Sequence, residues 1–178
     1  DFTHVGPPMG SFATTDPAGT DIAARSGLRS QIDGIESDGA GGWFVAPGSF
    51  IIASRGADEL IHVLPDGTRD PNWHAPYFAD KILAILRVGS RLFVAGSFYD
   101  NPAFADRGVV ALDAATGALL PWYARLGGDP FNRVERLAAA GSRLYLVGAF
   151  TSVDGQARAG LAAVDVDTAA VQPAVLAI

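Results

Sequence analysis

The residues of this chain that could carry out chemistry are few and scattered. Its 178 residues include three histidines, His4, His62 and His74, a single lysine, Lys81, and no cysteine. No His-x-His or His-Glu-x-x-His pair occurs, so spacing offers no metal-ligand set. Nucleophilic catalysis needs a thiolate, or a serine partnered by histidine. Neither Gly-x-Ser-x-Gly nor a recognisable triad pattern is present. Lys81 lacks the glycines of a phosphate-binding loop, and Gly39-Ala40-Gly41-Gly42 leads into a strand rather than a helix. No catalytic, cofactor-binding or metal residue is therefore assigned. Asp66-Gly67 and Asp165-Val166-Asp167 resemble parts of a calcium loop without its full Asp-x-Asp-x-Asp-Gly run. Turns in which Asp caps its own backbone account for them, and calcium is the one cofactor left open.

Residues suited to contact rather than catalysis gather in Asn72-Trp73-His74-Ala75-Pro76-Tyr77-Phe78 and in Pro121-Trp122-Tyr123. Exposed aromatic side chains stack on sugars or anchor protein partners, which makes Trp73, His74, Tyr77, Trp122 and Tyr123 the candidate contacts. The competing expectation is that both tryptophans pack on the outer strand of a repeating unit.

The elements that position these residues recur. Gly-Ser-Arg-Leu-Phe-Val-Ala-Gly-Ser-Phe at 89–98 returns at 141–150 as Gly-Ser-Arg-Leu-Tyr-Leu-Val-Gly-Ala-Phe, and more weakly at 41–50. Gly96 and Gly148, Asp113 and Asp165, and Pro121 and Pro173 are each 52 residues apart. The earlier copy is offset by 48 at Gly48 and by 50 at Pro71. Strands are expected at 43–46 and 60–64, then at 82–88, 91–95, 109–112 and 118–123, with the segments 99–107 and 151–159 as variable loops. Glycine at 89 and 141 suits a tight turn with positive φ, and at 96 and 148 a close backbone approach. Phe50, Phe98 and Phe150 read as wedges between units.

Four short strands in a period near fifty residues predict an all-β fold, a partial β-propeller of about three four-stranded blades plus an incomplete N-terminal blade. The incomplete unit spans 1–34. One repeat domain follows over 35–178, with blades at approximately 35–78, 79–127 and 128–178, and 174–178 reads as a last strand. Rings take roughly 4 to 8 blades. The chain is accordingly expected to be a piece of a longer protein or, failing that, to be completed by a second chain. Its start at Asp1, without an initiator Met or a leader, fits a processed protein or a piece.

Leu144-Tyr145-Leu146-Val147-Gly148-Ala149-Phe150, followed by Thr151-Ser152-Val153-Asp154-Gly155-Gln156-Ala157-Arg158, resembles the bacterial delta-sixty repeat β-propellers. That resemblance implies a secreted, periplasmic or cell-surface bacterial protein with no shared catalytic residues. Ala95, Val147 and Pro47 stand where the family's hairpin has a first glycine. A weaker similarity, to quinoprotein-type propeller repeats, lies in Ala111-Leu112-Asp113-Ala114-Ala115-Thr116-Gly117, but Pro121 displaces Trp122 by one residue. It reads as shared turn chemistry and not as a quinone site.

Composition narrows the partners. A net charge of −6, with twelve arginines spread along the chain, argues against binding nucleic acid. No apolar run approaches the roughly 20 residues of a transmembrane segment. The reading is a noncatalytic interaction or structural module of an exported bacterial protein. Its partner is a protein or further blades of the same protein. The alternatives are a glycan-binding propeller lectin and a cofactor-bearing or hydrolytic propeller enzyme.

Overall fold

The computed structural model describes residues 32–47, 60–78, 81–98, 103–104, 106–128 and 131–173. Residues 1–31 of the incomplete unit expected over 1–34, the wedge at Phe50, most of the loop at 99–107 and the last strand expected at 174–178 lie outside these residues. Among the described residues the chain is all-β, with thirteen strands in three antiparallel sheets. No helix among them is long and apolar enough to cross a membrane.

The first sheet joins β1 (Ile32–Ser37), β2 (Trp43–Pro47) and β3 (Ile61–Val63) in sequence order, and a bridge from Val63 to Arg69 extends it. The second joins β4 (Ile82–Val88), β5 (Arg91–Gly96), β6 (Arg107–Asp113) and β7 (Leu119–Gly127). The third joins β8 (Arg133–Ala140), β9 (Arg143–Ala149), β12 (Leu161–Asp165) and β13 (Val171–Gln172). Between β9 and β12 the segment read as a loop forms a hairpin, β10 (Ser152–Val153) and β11 (Gln156–Ala157), whose β10 pairs with β7. The third repeat thus lends two strands to the second sheet.

Both faces of the second sheet are covered, which explains why β5 and β6 are almost continuously apolar instead of alternating. Leu92, Val94, Val110 and Leu112 pack against Phe44, Ala46, Leu60 and Trp73 of the first sheet and the segment after it. Phe93, Ala95, Val109, Ala111 and Trp122 pack against Val134, Leu144, Leu146, Ala162 and Val164 of the third. Each such side chain contributes about 1.5–3 kcal/mol on full burial. Exposed ion pairs such as Arg125–Asp106 are weakened by solvent screening, so packing between sheets dominates.

Each first strand carries a bulge, between Ile32 and Gly34, Ile82 and Ala84, and Val134 and Arg136. The residues paired with the start of each bulge are Pro47, Gly96 and Gly148. The first two sheets are therefore offset by 49 residues here, not by the 48 that aligning Gly48 with Gly96 suggests. A slip of one residue exchanges the faces of a strand, so Phe44, and not Val45, is the counterpart of Phe93.

The glycine expectations hold at the described positions. Gly89 and Gly141 have φ of 61° and 58° in their hairpin turns. A Cβ on Gly96 would lie 2.0 Å from the Lys81 carbonyl oxygen, and one on Gly148 2.2 Å from that of Arg133. Gly89 faces open space, so Gly89→Ala meets only the backbone penalty of about 1–2 kcal/mol. Gly96→Ala must displace backbone and is expected to cost more. Urea melts of the two variants check the order; equal losses would remove the close approach as its cause.

Candidate functional site

The described residues bring one titratable cluster together, on the first sheet. His62 in β3 stands opposite Phe44 in β2, and its ring stacks on that phenyl at 4.8 Å between centroids. Its Nε2 lies 3.1 Å from Oδ2 of Asp38, in the β1–β2 turn, and its Nδ1 2.9 Å from Oδ2 of Asp70. The three side chains are only 11–16% exposed. Each ring nitrogen of His62 is thus engaged by one carboxyl oxygen. Neither nitrogen is left to act as a general base or metal ligand. The cluster ties the β1–β2 turn, β3 and the segment after β3 into one unit.

The carboxylates are held by backbone as well. Burial pushes the Asp38 carboxyl up, but hydrogen bonds from Ala40 N–H, His62 and Gly42 N–H outweigh it and leave the pKa lowered. The Asp70 carboxyl is lowered by the Asn72 N–H and then by His62. Spacing alone hid this site, because the partners lie 24 and 8 residues from His62. The available signal was register: with the 49-residue offset His62 corresponds to Ala111, a core position at which a histidine must find partners.

The five candidate contacts are not brought together. Trp73 is 1% exposed and Trp122 4% exposed. The Trp73 indole donates from Nε1 to the Ala114 carbonyl at 3.0 Å, in the β6–β7 turn of the second sheet. That of Trp122 donates to the Asp165 carbonyl at 3.2 Å, at the end of β12 in the third. Both tryptophans are thus latches from one sheet to the next, 49 residues apart. His74 is exposed and gives its backbone N–H to the Thr116 carbonyl, while Tyr77 is 68% exposed. Tyr123 is half-buried between the Arg107 and Arg125 guanidiniums, 4.2 and 5.0 Å from its ring centroid. Arg125 also donates to the Tyr123 hydroxyl and to Asp106, and the Asp106 hydrogen bond raises its pKa.

The aspartates weighed for calcium cap turns. Asp165 Oδ1 accepts from Asp167 N–H, Thr168 N–H and the Thr168 hydroxyl, and Asp66 Oδ1 from Thr68 N–H and its hydroxyl. Among the described residues no group of three or more His, Cys, Asp or Glu side chains is arranged to hold a metal ion. A cavity of about 390 Å³ lies at the start of β8, lined by Phe131, Asn132, Arg133, Ala149, Phe150 and Thr151, away from all five candidates. No family model matches the chain and no curated protein is detectably similar to it.

Two outcomes follow for the cluster. His62→Ala strands two largely buried carboxylates and is expected to lower stability by about 1–3 kcal/mol at neutral pH. Because the folded-state pKa values of Asp38 and Asp70 are lowered, their contribution is complete above the ordinary value of 3.8 and disappears as pH falls through the lowered values. Urea unfolding should show a steeper loss of stability toward acid in the native chain than in an Asp38→Asn/Asp70→Asn variant. Parallel profiles would show that the pair does not govern this range.

Proposed function

We propose that the chain is a noncatalytic structural and interaction module, three consecutive blades of a β-propeller belonging to an exported bacterial protein. The observation that carries this reading is the pair of latches, in which the indole of Trp73 donates to the Ala114 carbonyl in the β6–β7 turn and that of Trp122 to the Asp165 carbonyl at the end of β12, each in the next sheet. Two latches of the same kind, whose acceptors stand at adjacent positions of the repeat, support a similar relation between successive sheets, as stacked repeats require.

The taper of the layers supports a ring-forming arrangement. β4 lies against β1 and β2, and β8 against β4, β5 and β6, so the first strands mark the close side. Small residues stand there: a Cβ on Gly34 would meet the Ile85 side chain at 3.3 Å. Bulky indoles fill the opposite side. Sheets that approach along one edge and are spread by Trp along the other are wedges, and wedges succeed one another around an axis. The delta-sixty resemblance points to the same architecture and adds the exported setting.

The glycan-binding alternative loses its stacking platforms, since the indoles of Trp73 and Trp122 are spent between sheets. Enzymatic alternatives have no support from His62, whose two ring nitrogens are engaged. Trp73→Phe and Trp122→Phe, which keep most of the apolar volume, are expected to cost about 0.5–1.5 kcal/mol each. Trp→Ala at either site is expected to cost about 3–5 kcal/mol. Denaturation read by circular dichroism checks both. Unchanged stability together with loss of a bound ligand would replace the structural reading by a binding one.

A further inference from the structure

Two arginines face each other across β6 and β7. Arg107 is the direct cross-strand partner of Arg125, and like charges in that relation repel unless something answers them. Arg125 is answered: its Nε donates to Asp106 at 2.7 Å and its Nη2 to the Tyr123 hydroxyl at 3.0 Å. Arg107 is not. Its Nε is buried without an acceptor, and among the described residues its guanidinium forms no hydrogen bond or ion pair.

A stack holds this unanswered charge in place. The Arg107 Cζ lies 4.2 Å from the Tyr123 ring centroid and 5.8 Å from that of Phe104, which stacks in turn on Phe78 at 5.3 Å. Arg125 lies 5.0 Å from the Tyr123 ring. Contact with an aromatic face orients a guanidinium but supplies no acceptor to its N–H groups. The repeats form without this group. By the 52-residue offset Arg107 corresponds to Ala159 of the third repeat, and by the 49-residue offset Tyr123 and Arg125 correspond to His74 and Pro76 of the first. The scaffold therefore accounts for neither the facing charges nor the stack. A like-charge pair found in one copy, with one member lacking an acceptor, is completed by an anion from outside the chain.

The surroundings select the anion. Guanidinium and carboxylate match through two parallel N–H···O bonds, so one carboxylate takes the free fork of Arg107. Phosphate offers similar oxygens with up to two charges. Asp106, exposed beside the pair, and Asp154, which accepts the Arg125 N–H at 3.2 Å, oppose that second charge. One unmatched cation with two aspartates close by favours a monoanion. We propose that Arg107, held against Tyr123 and flanked by Arg125, binds a carboxylate group of a ligand or partner chain. This rests on reading the chain as an interaction module and gives that module a contact of defined chemistry.

The test follows the Arg107 and Arg125 Nε–Hε signals of the full chain by nuclear magnetic resonance, each identified by its absence in the corresponding Arg→Lys variant. Acetate is added at neutral pH against chloride of equal ionic strength. Both signals are expected to shift saturably with acetate and not with chloride. In Arg107→Gln the Arg125 signal should need at least about tenfold more acetate, with an unchanged circular-dichroism spectrum. A capped peptide with one glutamate separates the sources: saturation below the acetate concentration assigns the carboxylate to a protein segment, and saturation at the same concentration assigns it to a free small acid. Either result supports the site. Shifts that follow ionic strength alone, acetate binding undiminished in Arg107→Gln, or inorganic phosphate saturating the signals before acetate would overturn it. Failure of the stacked-repeat reading shows separately, as tryptophan variants of undiminished stability.

Discussion

The interface between successive sheets is the constraint on which the remainder of the molecule depends, because the second sheet has no face of its own to give to water. Leu92, Phe93, Val94 and Ala95 are consecutive and all 0% exposed, which a strand achieves only with a layer on each side. No sheet here is a separate folding unit in that sense: strip away either neighbour and half of β5 and β6 faces solvent. The latches are set at the outer strands, where an indole carries both a large apolar area and a donor that must be satisfied once buried. A carbonyl in the next sheet's turn satisfies it, so the same residue fills space and fixes the angle between layers.

That arrangement makes the turns part of the interface. Asp113 and Asp165 each accept from two backbone N–H groups and a threonine hydroxyl, which rigidifies the turns that receive the indoles. Gly117 closes the first of them with φ of 79°, and Ala169 takes the equivalent place in the second with φ of 63°. The strain of a non-glycine there is tolerated where the surrounding bonds leave no other conformation. Arg91 reaches from the second sheet to Asp167 in the third, so charge reinforces the same seam. Turn, latch and ion pair act at one place because layers are aligned by the ends of their strands.

Much of this was legible in the chain. The strand expected at 82–88 is β4 to the residue, and the central hairpins follow from Gly89-Ser90 and Gly141-Ser142. Two things were not. The hairpin of β10 and β11 is too short for periodicity to reveal and pairs outside its own repeat. The registration of the first sheet was concealed by the string Pro-Gly-Ser-Phe, which aligns well by residue identity but one position away from the bulge. A bulge is a backbone event without a fixed residue type, so sequence similarity does not locate it.

The same displaced residue explains why the Asp38–His62–Asp70 cluster escaped notice and what it does. At the Ala111 position of the second sheet a methyl group suffices, packed in the layer against the third sheet. Among the described residues the first sheet has three strands, extended by an isolated bridge at Arg69. A histidine held at both nitrogens draws the β1–β2 turn and the segment at Asp70 together around Phe44 and Trp73. Directional polar contacts thus do in the first sheet what an added strand does in the second. The cluster that looks most like chemistry is the means by which the first latch residue, Trp73, is held where the second sheet needs it.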